Sequence, residues 1–585
     1  MLMIKKKLSK KKDANFYLPG EEINIARGDV FSAWSNKNPE GNNNGRILFG
    51  IGCFAFAYML VAFRLFGTCV LPNLYESEPA EHYYDASKRL HRADIVDRNG
   101  ALIATSLPTK DLNANTKYIL SPRETSLKLA KIFPDMKFED IYKKLKLRTG
   151  KTYTLRKNLT PHQQSLIMSL GNPGLEFVNN EKRVYLHKNL FSHVIGKADV
   201  DNKGVSGIEK GLDERILSSD VAVKLTLDLG VQDTIRSILA KNMKKYYAQG
   251  AAAILLDAKT GDVISMVSLP DYDPNNISQK DTDALKNAAT SLIYEPGSVL
   301  KVFNTAMALD SGKVKVSEYF DATEPLKLKY NTIKDYRGEN RWLSVEEVLI
   351  HSSNIGSARM ALQSGFNEQY NFLEKINFFK RLDMDLVETA LPIVPQKNKW
   401  QISDSTVATI GYGYGISVSP MHIIAAYAAV VNGGIYHNPN VVFDNDNTKN
   451  EKRIISDNTS KQMRKLMRSV VTEGSGKRAN VLGYEVGGKT GTANKLGPDG
   501  KYMNKKVRTT FISAFPISDP KYALLVMMDE PKATKETFGF STAGWNSVPT
   551  ASEIIAAVAP QLNVEANYDL DEMRHNKIIE AAYGR

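Results

Sequence analysis

Three short stretches carry side chains that together could perform acyl transfer. The first is Tyr294-Glu295-Pro296-Gly297-Ser298-Val299-Leu300-Lys301-Val302-Phe303-Asn304. Pro296 and Gly297 punctuate a turn, and Val299, Val302, Phe303, Ala306 and Met307 then recur at helical spacing until Ser311-Gly312. Ser298 therefore stands where a helix begins, with Lys301 one turn on and on the same face. A serine hydroxyl becomes a nucleophile when a base takes its proton, and a lysine kept in a dry pocket can be neutral enough to do so. The second stretch, His351-Ser352-Ser353-Asn354, offers a hydroxyl at Ser352 to relay protons and an amide at Asn354 to orient a substrate. The third, Lys489-Thr490-Gly491-Thr492, offers a cation, two hydroxyls and an unencumbered backbone. Those suit a strand that binds a carboxylate and a peptide edge, and a side chain at Gly491 could block the close approach.

Each motif has a decoy. Ser9/Lys12 and Ser518/Lys521 repeat the first spacing, Ser456-Asp457-Asn458 the second and Lys259-Thr260-Gly261 the third. Taken alone, Ser-x-x-Lys is more simply a helix-capping serine with a solvated lysine. Order resolves this, because Ser298/Lys301, Ser352/Asn354 and Lys489-Thr490-Gly491 follow one another as the motifs of penicillin-binding proteins and class A β-lactamases do. The Lys259 triplet reads instead as the tip of a hairpin between the apolar runs AAAILLDA and DVISMVSLP. A rival comes from another enzyme class: Gly483 to Thr490 fits the P-loop pattern, and Leu524 to Glu530 resembles a magnesium-binding strand. A P-loop must run into a helix whose N-terminus holds phosphates, and Gly491 followed by Gly497-Pro498-Asp499-Gly500 cannot continue one.

The elements that must position these residues are spread along 585 residues, too many for one ordinary domain. The run from Ile47 to Phe63 carries no charge and continues past Arg64 to Leu71, which reads as one transmembrane helix. Basic residues crowd before it, among the +13 net charge, so the tail is expected to be cytoplasmic and the rest outside the inner membrane. More than 40 residues precede the run and no small-x-small site follows closely, which favours an uncleaved anchor over a signal peptide. The tail through Gly41 to Gly45 has the composition of a disordered segment. Cys53 and Cys69 are the two cysteines, so everything after residue 69 is free of disulfides and thiol metal ligands. No metal and no cofactor is expected. Arg92 to Gly100 and Ala101 to Ala104 read as strand, Asn-Gly turn, strand. Tyr142 to Lys157 interleaves Lys, Arg and Tyr, which outside a membrane reads as a solvated face rather than a grip on nucleic acid. Strands near Ala251 and again from Gly487 to Met528, with helices between, predict one mixed sheet whose outer strands are far apart in sequence.

On RADIVDRNGALIATSL, GIEKGLDE, YEPGSVLKVF, HSSNIGSARMAL, TIGYGYGISVSP, GGKTGT and TAGWNSVPTA, the chain resembles class B penicillin-binding proteins, most closely those of the FtsI type. The likeness runs from the membrane helix to about Val564, and Ala93 stands where the family usually has Gly. The resemblance implies an α/β (α+β) penicillin-binding transpeptidase fold at 235–563, a five-stranded antiparallel sheet flanked by helices. Before it would come a cytoplasmic tail at 1–45, a transmembrane helix at 46–72 and an elongated pedestal of the dimerisation type at 73–220; an extension would close the chain at 564–585. It also implies roles. Ser298 would attack the carbonyl between the last two D-alanines of a peptidoglycan stem peptide, with Lys301 as base, and Ser352 would pass the proton to the leaving D-alanine. Asn354 would orient substrate, Lys489 would supply positive potential, and Thr490 and Thr492, beside Gly491, would meet the terminal carboxylate. The backbone N–H groups of Ser298 and Thr492 would form the oxyanion hole. A neighbouring stem's amine would complete a 4→3 crosslink during cell division, and β-lactams would be trapped as acyl-enzymes. The expected partners are a SEDS-type glycosyltransferase and other divisome membrane proteins. The expected location is the inner membrane, single-pass, with the catalytic domain periplasmic. A β-lactamase or D,D-carboxypeptidase, an elongation-type transpeptidase, and a non-catalytic scaffold or β-lactam sensor are the alternatives.

Overall fold

The computed structural model describes residues 44–70, 91–147, 150–278, 282–329, 331–443, 451–497 and 499–568. Nearly all of the expected cytoplasmic tail and most of the 564–585 extension lie outside them. The chain divides into two compact units, Met1–Ala86 and Ser87–Arg585. In the first, a helix spans Asn44–Val70, over the stretch expected to cross a membrane. Phe49, Ile51, Phe54, Phe56, Tyr58, Met59, Leu60 and Val61 on it are all exposed. Among the described residues no helix is long and apolar enough to cross a membrane.

The second unit opens with the Asn-Gly hairpin that the sequence predicts: Ile95–Val96 pairs antiparallel with Leu102–Asn115, and Gly100 takes φ +89° between them. The longer strand also pairs with Thr152–Leu159 and Leu175–Tyr185. The Lys/Arg/Tyr-rich segment becomes the end of a helix and a strand, with Arg156 paired to Asp135 and Lys157 to Asp201 at the surface. The GIEKGLDE turn is anchored from inside. Glu209, fully buried, is shared by Arg92 (2.6 Å) and Arg183 (2.6 Å), and Arg92 reaches Asp213 at 2.6 Å as well. Burying such charges is costly unless each is paired, so this knot admits one arrangement of the three segments.

The catalytic motifs depend on a second sheet, whose strands are β1 (Gly250–Asp257), β2 (Val263–Leu269), β3 (Gly487–Leu496), β4 (Tyr502–Phe515) and β5 (Tyr522–Asp529). Their order is β3-β4-β5-β1-β2 and every neighbouring pair is antiparallel. The mixed sheet expected from strands at both ends with helices between is therefore corrected, and the five-stranded antiparallel sheet that the resemblance implies is the one present. Tight hairpins link β1 to β2, β3 to β4 and β4 to β5, which forces antiparallel pairing. The single long excursion leaves from one edge and returns at the other, so it adds no parallel neighbour. The Lys259-Thr260-Gly261 triplet is the β1–β2 tip, with Lys259 paired to Asp519 at 2.9 Å. The remote outer strands, β2 and β3, are as expected.

Both faces of this sheet are covered. Along β1, Ala251, Ala253 and Leu255 pack on one side with Ile235 and Leu239 of α1 (Leu229–Lys245) and with the last helix, Ser547–Gln561. Ala252, Ile254 and Leu256 pack on the other, the period of two that a strand dictates. That side receives α2 (Leu300–Asp310), with α3 (Asn354–Lys375), α4 (Pro420–Val431) and α5 (Asp457–Thr472) around it. All twelve residues of α4 are buried, and its sequence is accordingly apolar on every side.

Candidate active site

Ser298 sits in a single 3₁₀ turn, Gly297–Val299, that runs directly into α2. Gly297 takes φ +59°, a conformation that an L side chain would strain. The turn is clamped from behind. Tyr294 exchanges both backbone hydrogen bonds with Val418 at 3.1 Å, and Gly297 N–H donates to Gly413 O at 2.9 Å. Glu295, three residues before the nucleophile and buried, accepts from Gly415 N–H at 2.7 Å and from the Tyr502 hydroxyl at 2.9 Å. Burial raises its pKa above the ordinary carboxylate range. The stretch Thr409 to Gly415, part of the segment TIGYGYGISVSP, is thus the clamp of the nucleophile turn.

Lys301 is completely buried, and its Nζ is ringed by oxygens: Ser298 Oγ at 3.0 Å, Ser352 O at 2.6 Å, Ser352 Oγ at 3.1 Å and Asn354 Oδ1 at 2.8 Å. Two of these, the Ser352 carbonyl and the Asn354 amide oxygen, can only accept, and a neutral amine has two N–H groups to give them. Its lone pair is then left for a hydroxyl proton, and Ser298 supplies one at 3.0 Å. The amide orientation is fixed by its other end, where Asn354 Nδ2 donates to Lys334 O at 2.9 Å. Ser352 carries φ +57°, the strained backbone that turns its carbonyl and its hydroxyl toward the same amine. Lys489, also fully buried, donates to Ser352 Oγ at 3.0 Å and to Thr490 O at 3.1 Å. Five sequence-predicted residues from three motifs are therefore brought into one connected network.

The electrostatics follow from burial. Loss of hydration drives the Lys301 pKa well below its ordinary value, the charge of Lys489 lowers it further, and Asp335 opposes. Burial alone pulls Lys489 down to about 7. Two cations in one dry site cannot both hold their protons easily, which leaves one amine free to act as base at neutral pH.

Thr490, Gly491 and Thr492 lie on β3, opposite Phe511, Thr510 and Thr509 of β4. The Thr490 and Ser475 hydroxyls are 2.6 Å apart, and Thr492 Oγ1 accepts from Ala543 N–H at 3.1 Å. The approach that Gly491 permits is made by its own chain. A Cβ there would lie 2.7 Å from Val299 Cγ2 and 2.9 Å from Pro296 O, so glycine lets the strand lie against the nucleophile turn. The P-loop reading fails here, because Lys489 and Thr490 are inside a strand that runs on to Leu496.

Sequence reasoning missed Asp335, Ser475 and the role of Glu295. Asp335 accepts from Ser353 Oγ at 2.7 Å and from the backbone N–H groups of Asn354 and Ile355, and so caps α3 and fixes the Ser352 turn. Nothing in its spacing marks it. Ser475 falls in Gly474-Ser475-Gly476, legible as a loop but not as a neighbour of Thr490.

Lys489 is a charge that the fold holds against its own stability. Its folded pKa of about 7 lies below the ordinary 10.5, so between those values the unfolded chain binds the extra proton and stability rises with pH. Below the folded value the penalty is present in full. Lys489→Met is expected to raise the melting midpoint most at about pH 6 and less at about pH 9, while slowing acylation. Calorimetry at both pH values checks this; a midpoint that falls equally at both would assign Lys489 a net stabilising role.

Comparison with known proteins places this site in context. The penicillin binding protein transpeptidase domain matches residues 251–550, and the penicillin-binding protein dimerisation domain matches residues 88–229. A probable peptidoglycan D,D-transpeptidase FtsI of Caulobacter vibrioides is 32% identical over 545 residues, 91% of each chain. The peptidoglycan D,D-transpeptidase FtsI of Escherichia coli K12 is 28% identical over 81% of this chain and 84% of its own. Among solved structures, penicillin binding protein 3 of Mycobacterium tuberculosis complexed with aztreonam matches with a TM-score of 0.64, covering 82% of this chain and 97% of that one. At 22% identity this is a likeness of fold.

Proposed function

Because the chain belongs to the penicillin-binding protein transpeptidase family, we propose that it is a serine-type peptidoglycan D,D-transpeptidase that makes 4→3 crosslinks at the division septum. The observation that carries this reading is the ring of oxygens about a buried, easily deprotonated Lys301, with Ser298 Oγ at 3.0 Å. Lys301 takes the Ser298 proton as Oγ attacks the carbonyl between the two terminal D-alanines of a donor stem. The backbone N–H groups of Ser298 and Thr492 receive the developing oxyanion. Ser352, within reach of both lysines, hands a proton to the leaving D-alanine amine. Lys489, Thr490 and Thr492 attract and hold the terminal carboxylate, and Asn354 orients the stem while fixing Lys301. The amine of a second stem then replaces D-alanine. A β-lactam, which mimics the donor, acylates Ser298 and stays; the aztreonam complex of the M. tuberculosis relative supports this.

The exposed apolar side chains between Phe49 and Val61 suit a lipid-facing anchor. In this reading the chain is a single-pass inner-membrane protein with a cytoplasmic N-terminus, a periplasmic catalytic domain and a pedestal that meets a SEDS-type glycosyltransferase and other divisome proteins.

The test is to treat the detergent-solubilised chain with a fluorescent penicillin and map the adduct by mass. One stable adduct on the peptide that carries Ser298, together with crosslinked dimers from stem pentapeptides, is the expected result. No adduct on a folded protein would move the scaffold reading ahead, and an adduct with hydrolysed but never crosslinked stems would make the enzyme a carboxypeptidase.

A further inference from the structure

Beside the catalytic motifs stands a cluster that the mechanism does not use. The rings of Phe540 and Trp545 stack with centroids 5.4 Å apart and planes 14° from parallel. The Arg478 guanidinium lies 3.4 Å over Trp545, steadied by a 3.1 Å bond from Nη1 to Gly544 O, and that of Arg337 lies 5.7 Å from the Phe540 ring centre. Both arginines are exposed and both rings are half-buried. Stacking on a ring consumes none of a guanidinium's five N–H donors, so apart from the one bond of Arg478 to Gly544 the donors stay available for a carboxylate. The acids nearest Arg337 in sequence are engaged elsewhere, Asp335 by Ser353, Asn354 and Ile355 and Glu339 by His351, and among the described residues neither Arg337 nor Arg478 forms an ion pair.

The cluster's place in the fold says what it meets. Its three segments are each bonded to a catalytic motif: Asp335 to Ser353, Ser475 to Thr490, and Ala543 to Thr492. In deacylation the acceptor amine attacks the Ser298 ester carbonyl. A C–N bond forms, the C–Oγ bond breaks, and the amine's proton returns to Ser298 Oγ by way of Lys301. The attacking amine must occupy the position the leaving amine vacated, on the side where Thr490 and Thr492 held the departed carboxylate. The rest of the acceptor then extends over the segments next to those threonines, which carry Arg478, Phe540 and Trp545.

We propose that the shelf of Arg337, Phe540, Trp545 and Arg478 is the acceptor-stem site, binding an acidic peptide with its carboxylates on the guanidiniums and its aliphatic parts on the rings. This rests on the transpeptidase reading.

The experiment uses the full chain in detergent, a D-alanyl thioester as donor, and two acceptor peptides that are identical except that the carboxylates of one are carboxamides in the other. The wild type is expected to show a KM for the carboxylate acceptor about tenfold below that for the carboxamide, the ratio that about 1.4 kcal/mol of charge-assisted bonding produces. The R337Q/R478Q variant should lose the preference through a raised KM for the acidic acceptor, with kcat little changed. Equal KM values in the wild type, or a preference that survives in the variant, would overturn the proposal. Penicillin acylation of the same preparations separates the two levels: its absence in the wild type sinks the transpeptidase reading, whereas acylation without acid preference sinks only the shelf.

Discussion

Replacing Lys301 by methionine is expected to slow acylation of Ser298 by about 10³-fold, the range that one well-placed general base contributes. Methionine fills nearly the volume of the lysine stem, so the packing of α2 survives. What is lost is the one atom that faces Ser298 Oγ, the Ser352 carbonyl and Asn354 Oδ1 together. Removing an amine whose protonation burial and Lys489 disfavour also relieves the cost that depresses the Lys301 pKa, so the variant should melt no lower than the wild type. A loss of activity therefore could not be put down to unfolding. Stopped-flow acylation with a fluorescent penicillin, run across pH, is the measurement. The wild-type rate should rise as Lys301 gives up its proton with increasing pH, and the variant's residual rate should not follow that rise. A loss of less than about tenfold would shift the role of base to Lys489 acting through Ser352.

The second large effect is expected at a residue that takes no part in the chemistry but lies against the nucleophile turn. At Gly413 the backbone takes φ +114°, and a Cβ would lie 1.8 Å from the Gly297 carbonyl oxygen and 2.2 Å from its carbon. These are main-chain atoms of the nucleophile turn, with no flexible end to swing aside. Gly413→Ala must therefore push the turn away from its clamp by an ångström or more, which is expected to reduce acylation about 10²-fold. Gly415→Ala provides the contrast. It has a positive φ of +82°, but its nearest atoms are the Ile410 and Thr409 side chains at 3.6 and 3.8 Å. That variant should lose about 1–2 kcal/mol of stability and keep most of its acylation rate. Equal losses in the two variants would mean that conformational strain, and not displacement of Ser298, is what matters.

The three catalytic motifs are legible in the sequence because each does its work locally. A turn, a helix start and a strand fix the spacing of Ser298 to Lys301, of Ser352 to Asn354, and of Lys489 to Thr492. What lies between motifs is not legible. Asp335 reaches Ser353 and Asn354, Ser475 reaches Thr490, and Tyr502 reaches Glu295 across folds of the chain that no periodicity announces. Gly491 shows the same boundary: that it permits a close approach can be read from its type, but that the approaching group is Val299 can be read only from the packing. The mixed sheet differs from the structure for a related reason: strands at both ends with helices between do not tell parallel from antiparallel neighbours, whereas the short hairpins make every pair antiparallel, as the resemblance implies.

The pairing of β5 with β1, Tyr522 opposite Asp257 through Asp529 opposite Gly250, governs when the protein can first work. During synthesis β1 and β2 emerge early as a hairpin with largely apolar faces and an open edge, and they must wait while the chain through Val486 is made. Only when Asp529 has been released can the sheet close, and the closing contacts are among the longest-range in the chain, the slow kind to form. Until then Ser298 and Lys301 exist without Lys489 beside them. Neither antibiotic nor substrate can engage a nascent chain, and the interval exposes an unpaired strand edge to aggregation. Assembly is thus all-or-none once β5 has been made, and chains cut short anywhere before β5 are expected to be inert as well as insoluble.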